Sequence, residues 1–167
     1  MTSLSSCQLQ ILAKDANLDV MLFPKNQTVA VAESMTGGLL SHRFTQNPGA
    51  SAYFLGGIVA YSSRSKVQLL GVDPKALEQK GAVSEMVARQ MAEGALHAFG
   101  SDWALAITGI AGPSGGSREK PIGTVCYAIS GVGRDTLAWT HLHKEVERKA
   151  LMVKAADHLL ERWQSLL

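Results

Sequence analysis

With 167 residues, 46% of them apolar and 18% charged, the chain has room for one hydrophobic core and the composition of a folded globular protein. A formal net charge of +2, with basic residues interleaved with acids as in "KEVERK" (144–149), argues against nucleic acid or an anionic membrane surface as a partner. No apolar run approaches the ~18 residues of a membrane span, no basic start leads into an apolar core, and Cys7 and Cys126 have no metal-like spacing. The expectation is a cytoplasmic protein of one domain covering 1–167.

In chain order, residues 4–22 read as a helix, with Ile11, Leu18 and Leu22 at helical spacing. "TVAVA" (28–32) suits a short strand buried on both faces, because every residue is small or β-branched. Gly37-Gly38 opens a helix through Phe44, and Asn47-Pro48-Gly49 ends it. "SAYFLGGIVAYSS" (51–63) is a strand interrupted at Gly56-Gly57, the mark of a bulge. Short helical pieces follow near 65–70 and 74–80.

Ser84 is a candidate N-cap for a helix to Phe99 that places Val87, Met91, Ala95 and Ala98 on one face. Gly94 inside it costs about 1 kcal/mol relative to Ala, which points to close packing there. "WALAITG" (103–109) is a second buried strand, followed by a loop rich in glycine and proline. "TVCYAIS" and "TLAWTHLH" form a hairpin about Gly131–Asp135. A last helix begins near Lys144, with Val146, Ala150, Val153, Leu160, Trp163 and Leu167 on its apolar side. The order predicts a three-layer α/β/α sandwich about a mixed, mostly parallel sheet.

Three segments share one form: "VAVAESMTGG", "GGIVAYSSRSK" and "LAITGIAGPSGG" are strands that end in hydroxyls or glycines. In open α/β sheets ligands gather at such strand ends, so three neighbouring ends would line one pocket. The glycine loop matches neither the dinucleotide fingerprint nor the P-loop, and no G-x-S-x-G elbow is present. Ser34 needs a base to act as a nucleophile. None of the five histidines has a distinguishing context; His141 and His143 read as surface residues of an edge strand, a two-His metal site being the alternative. A desolvated lysine can serve instead. Lys66 and Lys120 are the candidates, each equally readable as a solvated surface residue. Ser51 is a second serine candidate, or a turn cap.

"AESMTGG", "PGASAYFLGGIVAYSSRSK", "GAVSE" and "ITGIAGPSGGSREKPIGTV" together resemble the C-terminal domain of CinA, found also as a stand-alone nicotinamide mononucleotide (NMN) deamidase. The match runs from about Val29 to Ser130 in order and spacing, and the chain resembles the stand-alone form. The resemblance implies the sandwich fold and an amidohydrolase that turns NMN into nicotinate mononucleotide and ammonia, with a serine, a lysine partner, no metal and no cofactor. Position by position it implies catalytic roles for Ser34, Ser51, Tyr61 and Lys66. Met35, Thr36, Gly37, Gly38, Thr108, Gly109, Ala111, Gly112 and Arg148 would contact the substrate.

Ser34, at a strand-to-helix turn, is preferred to Ser51 as the nucleophile, with backbone amides near Thr36-Gly37-Gly38 facing the oxyanion. Two departures stand out. The family usually carries Cys where this chain has Met35, and a Gly-Asp-Arg before the last helix, for which only Arg148 remains. They leave open a catalytically silent relative that binds a nucleotide or a protein partner. A homo-oligomer is expected.

Overall fold

In the computed structural model, the described residues are 26–46, 48–144 and 147–167. The helix expected over 4–22 lies outside them. Five strands form one sheet in the order β2-β1-β3-β4-β5: β1 (Val29–Glu33), β2 (Phe54–Val59), β3 (Trp103–Gly109), β4 (Thr124–Gly131) and β5 (Leu137–Leu142). β1 pairs in parallel with both β2 and β3, whereas β4 is antiparallel to β3 and to β5. Four strands therefore share one direction and β4 alone opposes them. The helices are α1 (Leu39–Thr45), α2 (Ser63–Leu70), α3 (Pro74–Lys80), α4 (Glu85–Phe99) and α5 (Arg148–Gln164), with a 3-10 turn over Ala50–Ala52. Among the described residues no helix is long and apolar enough to cross a membrane.

The layering follows from the period of two in the strands. In "VAVA" and "WALAI" large residues alternate with alanine. Val29, Val31, Leu105 and Ile107 pack with Val125, Tyr127 and Ile129 against α1 and α5. Ala32, Ala104 and Ala106 face α2 and α4 through Leu70, Val87, Met91 and Ala95. The alanine face admits α4 close to the sheet. Gly94 extends this closeness, since a Cβ there would lie 2.0 Å from the Leu70 carbonyl oxygen at the end of α2.

Local signals set the element ends. Ser62 and Ser65 form a capping box on α2, Asp73 caps α3 ahead of Pro74, and the Ser84 hydroxyl accepts the Val87 amide. The bulge expected at Gly56-Gly57 is present one residue earlier: Val29 and Ala30 pair with Phe54 and Gly56, so Leu55 is skipped. Two apolar stripes are rotated from their expected positions. In α4 Ala98 is exposed and Ala88 and Ala92 are buried instead. In α5 Ala150 is exposed, while Leu151, Ala155, Ala156 and Leu159 join Leu160 and Trp163 in the core. Small residues fit either side of a helix, so the larger neighbours decide which face turns inward.

Candidate functional site

The strand order brings the ends of β1, β2 and β3 side by side. Glu33 and Ser34 lie on opposite faces of the sheet, because successive residues of a strand alternate. Ser34 shares the face that carries α2, and its amide donates to the Ile107 carbonyl at 3.0 Å. From α2, the Lys66 Nζ donates to Ser34 Oγ at 2.9 Å and to the Ala60 carbonyl at 2.7 Å, with the Tyr61 carbonyl at 3.5 Å. Ala60 is in turn bonded through its amide to the Glu33 carbonyl at 2.8 Å. Lys66 is 1% exposed and Ser34 7%. Among the described residues none of the oxygens bonded to the amine is a carboxylate, and burial pushes Lys66 down from its ordinary value to about 8.

Ser34, Met35, Tyr61, Lys66, Thr108, Gly109, Ala111 and Arg148 line one cleft of about 180 Å³, joined by Ala82 and Val83. Val83 also lines a neighbouring cavity of about 390 Å³. Arg148, the first residue of α5, donates from Nη1 to the Gly112 carbonyl at 2.7 Å and from Nη2 to the Tyr61 hydroxyl at 3.2 Å. This places the arginine at the rim although the expected tripeptide is missing. Tyr61 is 61% exposed and forms the outer wall. The Thr108 hydroxyl donates to the Ala82 carbonyl at 3.0 Å, fixing the segment that leads into α4.

Met35 fills the space above Gly109. A Cβ on Gly109 would stand 2.4 Å from the Met35 Sδ. Gly37 and Gly38 both have positive φ and form the turn into α1, as the expected helix start requires. Their amides are already engaged: Gly37 donates to the Ser34 carbonyl at 3.2 Å and Gly38 to a Glu33 carboxylate oxygen at 3.1 Å. Of the amides near Thr36-Gly37-Gly38 expected to face the oxyanion, those of the two glycines are thus bonded to other acceptors. The amides of Met35 and Thr36 make no hydrogen bond among the described residues and stand next to Ser34. The Thr36 hydroxyl is buried without a partner among the described residues.

Ser51 does not join the group. It is exposed on the 3-10 turn that leads into β2. β1 and β2 run in parallel, so a residue before β2 and one after β1 lie at opposite ends of the strands, about 20 Å apart. Lys120 does not join it either, since its Nζ is bonded to the Lys80 and Val83 carbonyls at 2.6 and 2.7 Å. His141 is exposed and His143 half-buried. Their rings stand 4.5 Å apart beside His158, and the His143 Nε2 shares a 2.7 Å hydrogen bond with the Tyr127 hydroxyl. Burial and the neighbouring imidazoles push His143 down to about 4. Among the described residues no set of three ligand side chains is arranged to hold a metal ion.

The sequence reading gave no role to Glu33, Ala60, Ala82 or Val83. Glu33 carried a signal, a carboxylate closing a wholly apolar strand. The others act through backbone or as plain wall, and nothing in their residue type marks them.

The fold has known relatives. The profile described as the CinA C-terminal domain matches residues 13–167. A CinA-like protein of Mycobacterium marinum is 50% identical over 141 residues, which is 82% of this chain and 33% of that protein. A CinA-like protein of Chlorobium limicola is 57% identical over 115 residues, 69% of this chain and 27% of that one. The chain thus spans about a third of the length of these relatives. Among solved structures, the competence/damage inducible protein CihA from Agrobacterium tumefaciens superposes with a TM-score of 0.91 at 34% identity, covering 99% of each chain. A CinA superfamily protein from Escherichia coli gives 0.89 at 28% identity, over 99% of this chain and 95% of that one. The chain belongs to the CinA C-terminal domain family.

Proposed function

We propose that the chain is an amidohydrolase that converts nicotinamide mononucleotide to nicotinate mononucleotide and ammonia. The observation that carries this reading is the buried Lys66 amine, 2.9 Å from the Ser34 hydroxyl and with its proton held weakly. At neutral pH roughly a tenth of such an amine is unprotonated, against a few parts in ten thousand for an ordinary lysine. Neutral Lys66 takes the Ser34 proton as the oxygen attacks the carboxamide carbon. The C–N bond breaks and ammonia leaves with the proton returned by Lys66. Water then attacks the ester, losing its proton to Lys66, and the serine oxygen recovers that proton as the acid leaves. The Met35 and Thr36 amides, next to Ser34 and unbonded among the described residues, stabilise the developing oxyanion. Arg148, whose partners among the described residues are a carbonyl and a phenol, supplies a positive charge for the substrate phosphate.

One observation favours a second reading, a relative that binds the nucleotide without cleaving it. Met35 packed over Gly109 narrows the floor beside the serine. Purified protein incubated with NMN and assayed for ammonia decides between them. Ammonia release that is lost in Ser34→Ala supports the hydrolase; NMN binding with no release overturns it and leaves the binder.

A further inference from the structure

Glu33 is the last residue of β1 and is wholly buried. A carboxylate in that position is costly unless its lone pairs are filled. Among the described residues they are filled from one direction only. The Gly38 and Leu40 amides donate to Oε2 at 3.1 and 3.0 Å. The Ser41 amide and hydroxyl donate to Oε1 at 2.8 and 2.7 Å. All four donors lie at the start of α1, whose own N-cap, Gly38, has no side chain to do the work. The strand therefore caps the helix across the turn, and the turn it closes is Ser34-Met35-Thr36-Gly37. The main chain of Glu33 faces the other way, its carbonyl accepting from Ala60, whose carbonyl holds Lys66. One residue thus links the turn bearing the serine to the peptide that places the lysine.

We propose that Glu33 is a positioning residue for the Ser34–Lys66 pair: its carboxylate pins the nucleophile turn to α1 and so sets the serine hydroxyl against the amine. It touches neither Ser34 Oγ nor Lys66 Nζ and takes no part in proton transfer. The activity arm of its test rests on the amidohydrolase reading; a second arm does not.

The test uses Glu33→Gln and the milder Ser41→Ala, which removes a single donor and keeps the buried carboxylate. Glutamine retains one acceptor oxygen but turns an NH2 toward amides that also donate, so the turn shifts. A displacement of about 1 Å at a reacting atom costs on the order of 100-fold in kcat. The expected result is that loss in Glu33→Gln with KM within threefold, and about fivefold in Ser41→Ala, measured per folded protein. Independently, the Lys66 amine is titrated by NMR on lysine-labelled protein in the wild type, Ser34→Ala and Glu33→Gln. The expected Glu33→Gln curve departs from the wild type in the direction of Ser34→Ala, because the hydroxyl has moved off the amine.

A Glu33→Gln protein with wild-type kcat, or with a Lys66 titration that superimposes on the wild type's, overturns the proposal. If Glu33→Gln does not fold, Ser41→Ala carries both arms, and wild-type kcat and titration there overturn it equally. If the wild type releases no ammonia, the amidohydrolase reading fails alone and the titration arm decides this one.

Discussion

Lys66 and Ser34 stand 2.9 Å apart across two secondary-structure layers, although 32 residues separate them in the chain. Among the described residues the amine's partners are backbone and hydroxyl oxygens with no carboxylate, so its charged form is the one that burial penalises. This pairing has a consequence for both activity and stability, and the two carry different pH signatures.

For activity, the base must be neutral before it accepts a proton. NMN turnover is expected to rise with pH through about 8, the value to which burial lowers Lys66, and to level above it. A profile that falls between pH 7 and 9 removes Lys66 as the base.

For stability, the folded protein releases the Lys66 proton near 8, whereas the unfolded chain holds it to about 10.5. Between these values the unfolded state binds more protons, so stability rises with pH across that window. Lys66→Met removes this dependence and lowers turnover at least ~1000-fold. Denaturant unfolding of both proteins from pH 7 to 10.5 is expected to show the difference shifting toward the wild type by up to about 3 kcal/mol. A constant difference means that Lys66 keeps its ordinary affinity for the proton.

Met35 and Gly109 compete for one volume. Gly109→Ala is expected to lower the melting temperature, because its Cβ would meet the Met35 Sδ at 2.4 Å. Met35→Cys withdraws that sulfur, so the double variant recovers part of the loss. Recovery is partial because the Thr124 oxygen and Val125 also stand 3.0 Å from the new Cβ. Strict additivity in a double-mutant cycle shows that the two do not touch. Met35→Cys alone is expected to speed turnover by widening the floor of the cleft.

Arg148→Ala removes the link between the Gly112 carbonyl and the Tyr61 hydroxyl. With an anionic substrate, KM is expected to rise about 10- to 100-fold while kcat changes less. Arg148→Lys recovers little, since one ammonium cannot span both partners in a fork. A selective fall in kcat instead assigns Arg148 to the reacting atoms.

Gly94→Ala drives a Cβ into the Leu70 carbonyl, which is backbone at the end of the helix that carries Lys66. A loss of about 2 kcal/mol or more is expected, read as a drop of several degrees in melting temperature. Turnover is expected to fall with it, because α2 must move. An unchanged melting temperature shows that α2 and α4 are less closely packed than this contact requires.

Much of this protein is set by local pattern. The alternation in "VAVA" and "WALAI" by itself determines two unlike sheet faces, one for bulky helices and one for a close helix. Hydroxyls and glycines after the strands mark the ends where a ligand can sit, and Ser34 stands out among them because a strand-to-helix turn must follow it. Other features depend on which distant segments meet. The turn after Ser34 favours it over Ser51 in the chain, but only the parallel pairing of β1 with β2 puts Ser51 at the opposite end of the strands. Lys66 and Lys120 are alike as letters; one is desolvated beside a hydroxyl and the other is bonded to two backbone carbonyls away from it. Arg148 reaches the cleft because α5 begins there, not through any motif around it. A proton affinity is a property of surroundings, and the surroundings of Lys66 join the end of β2, just before it in the chain, to the end of β1, which only the fold brings beside it.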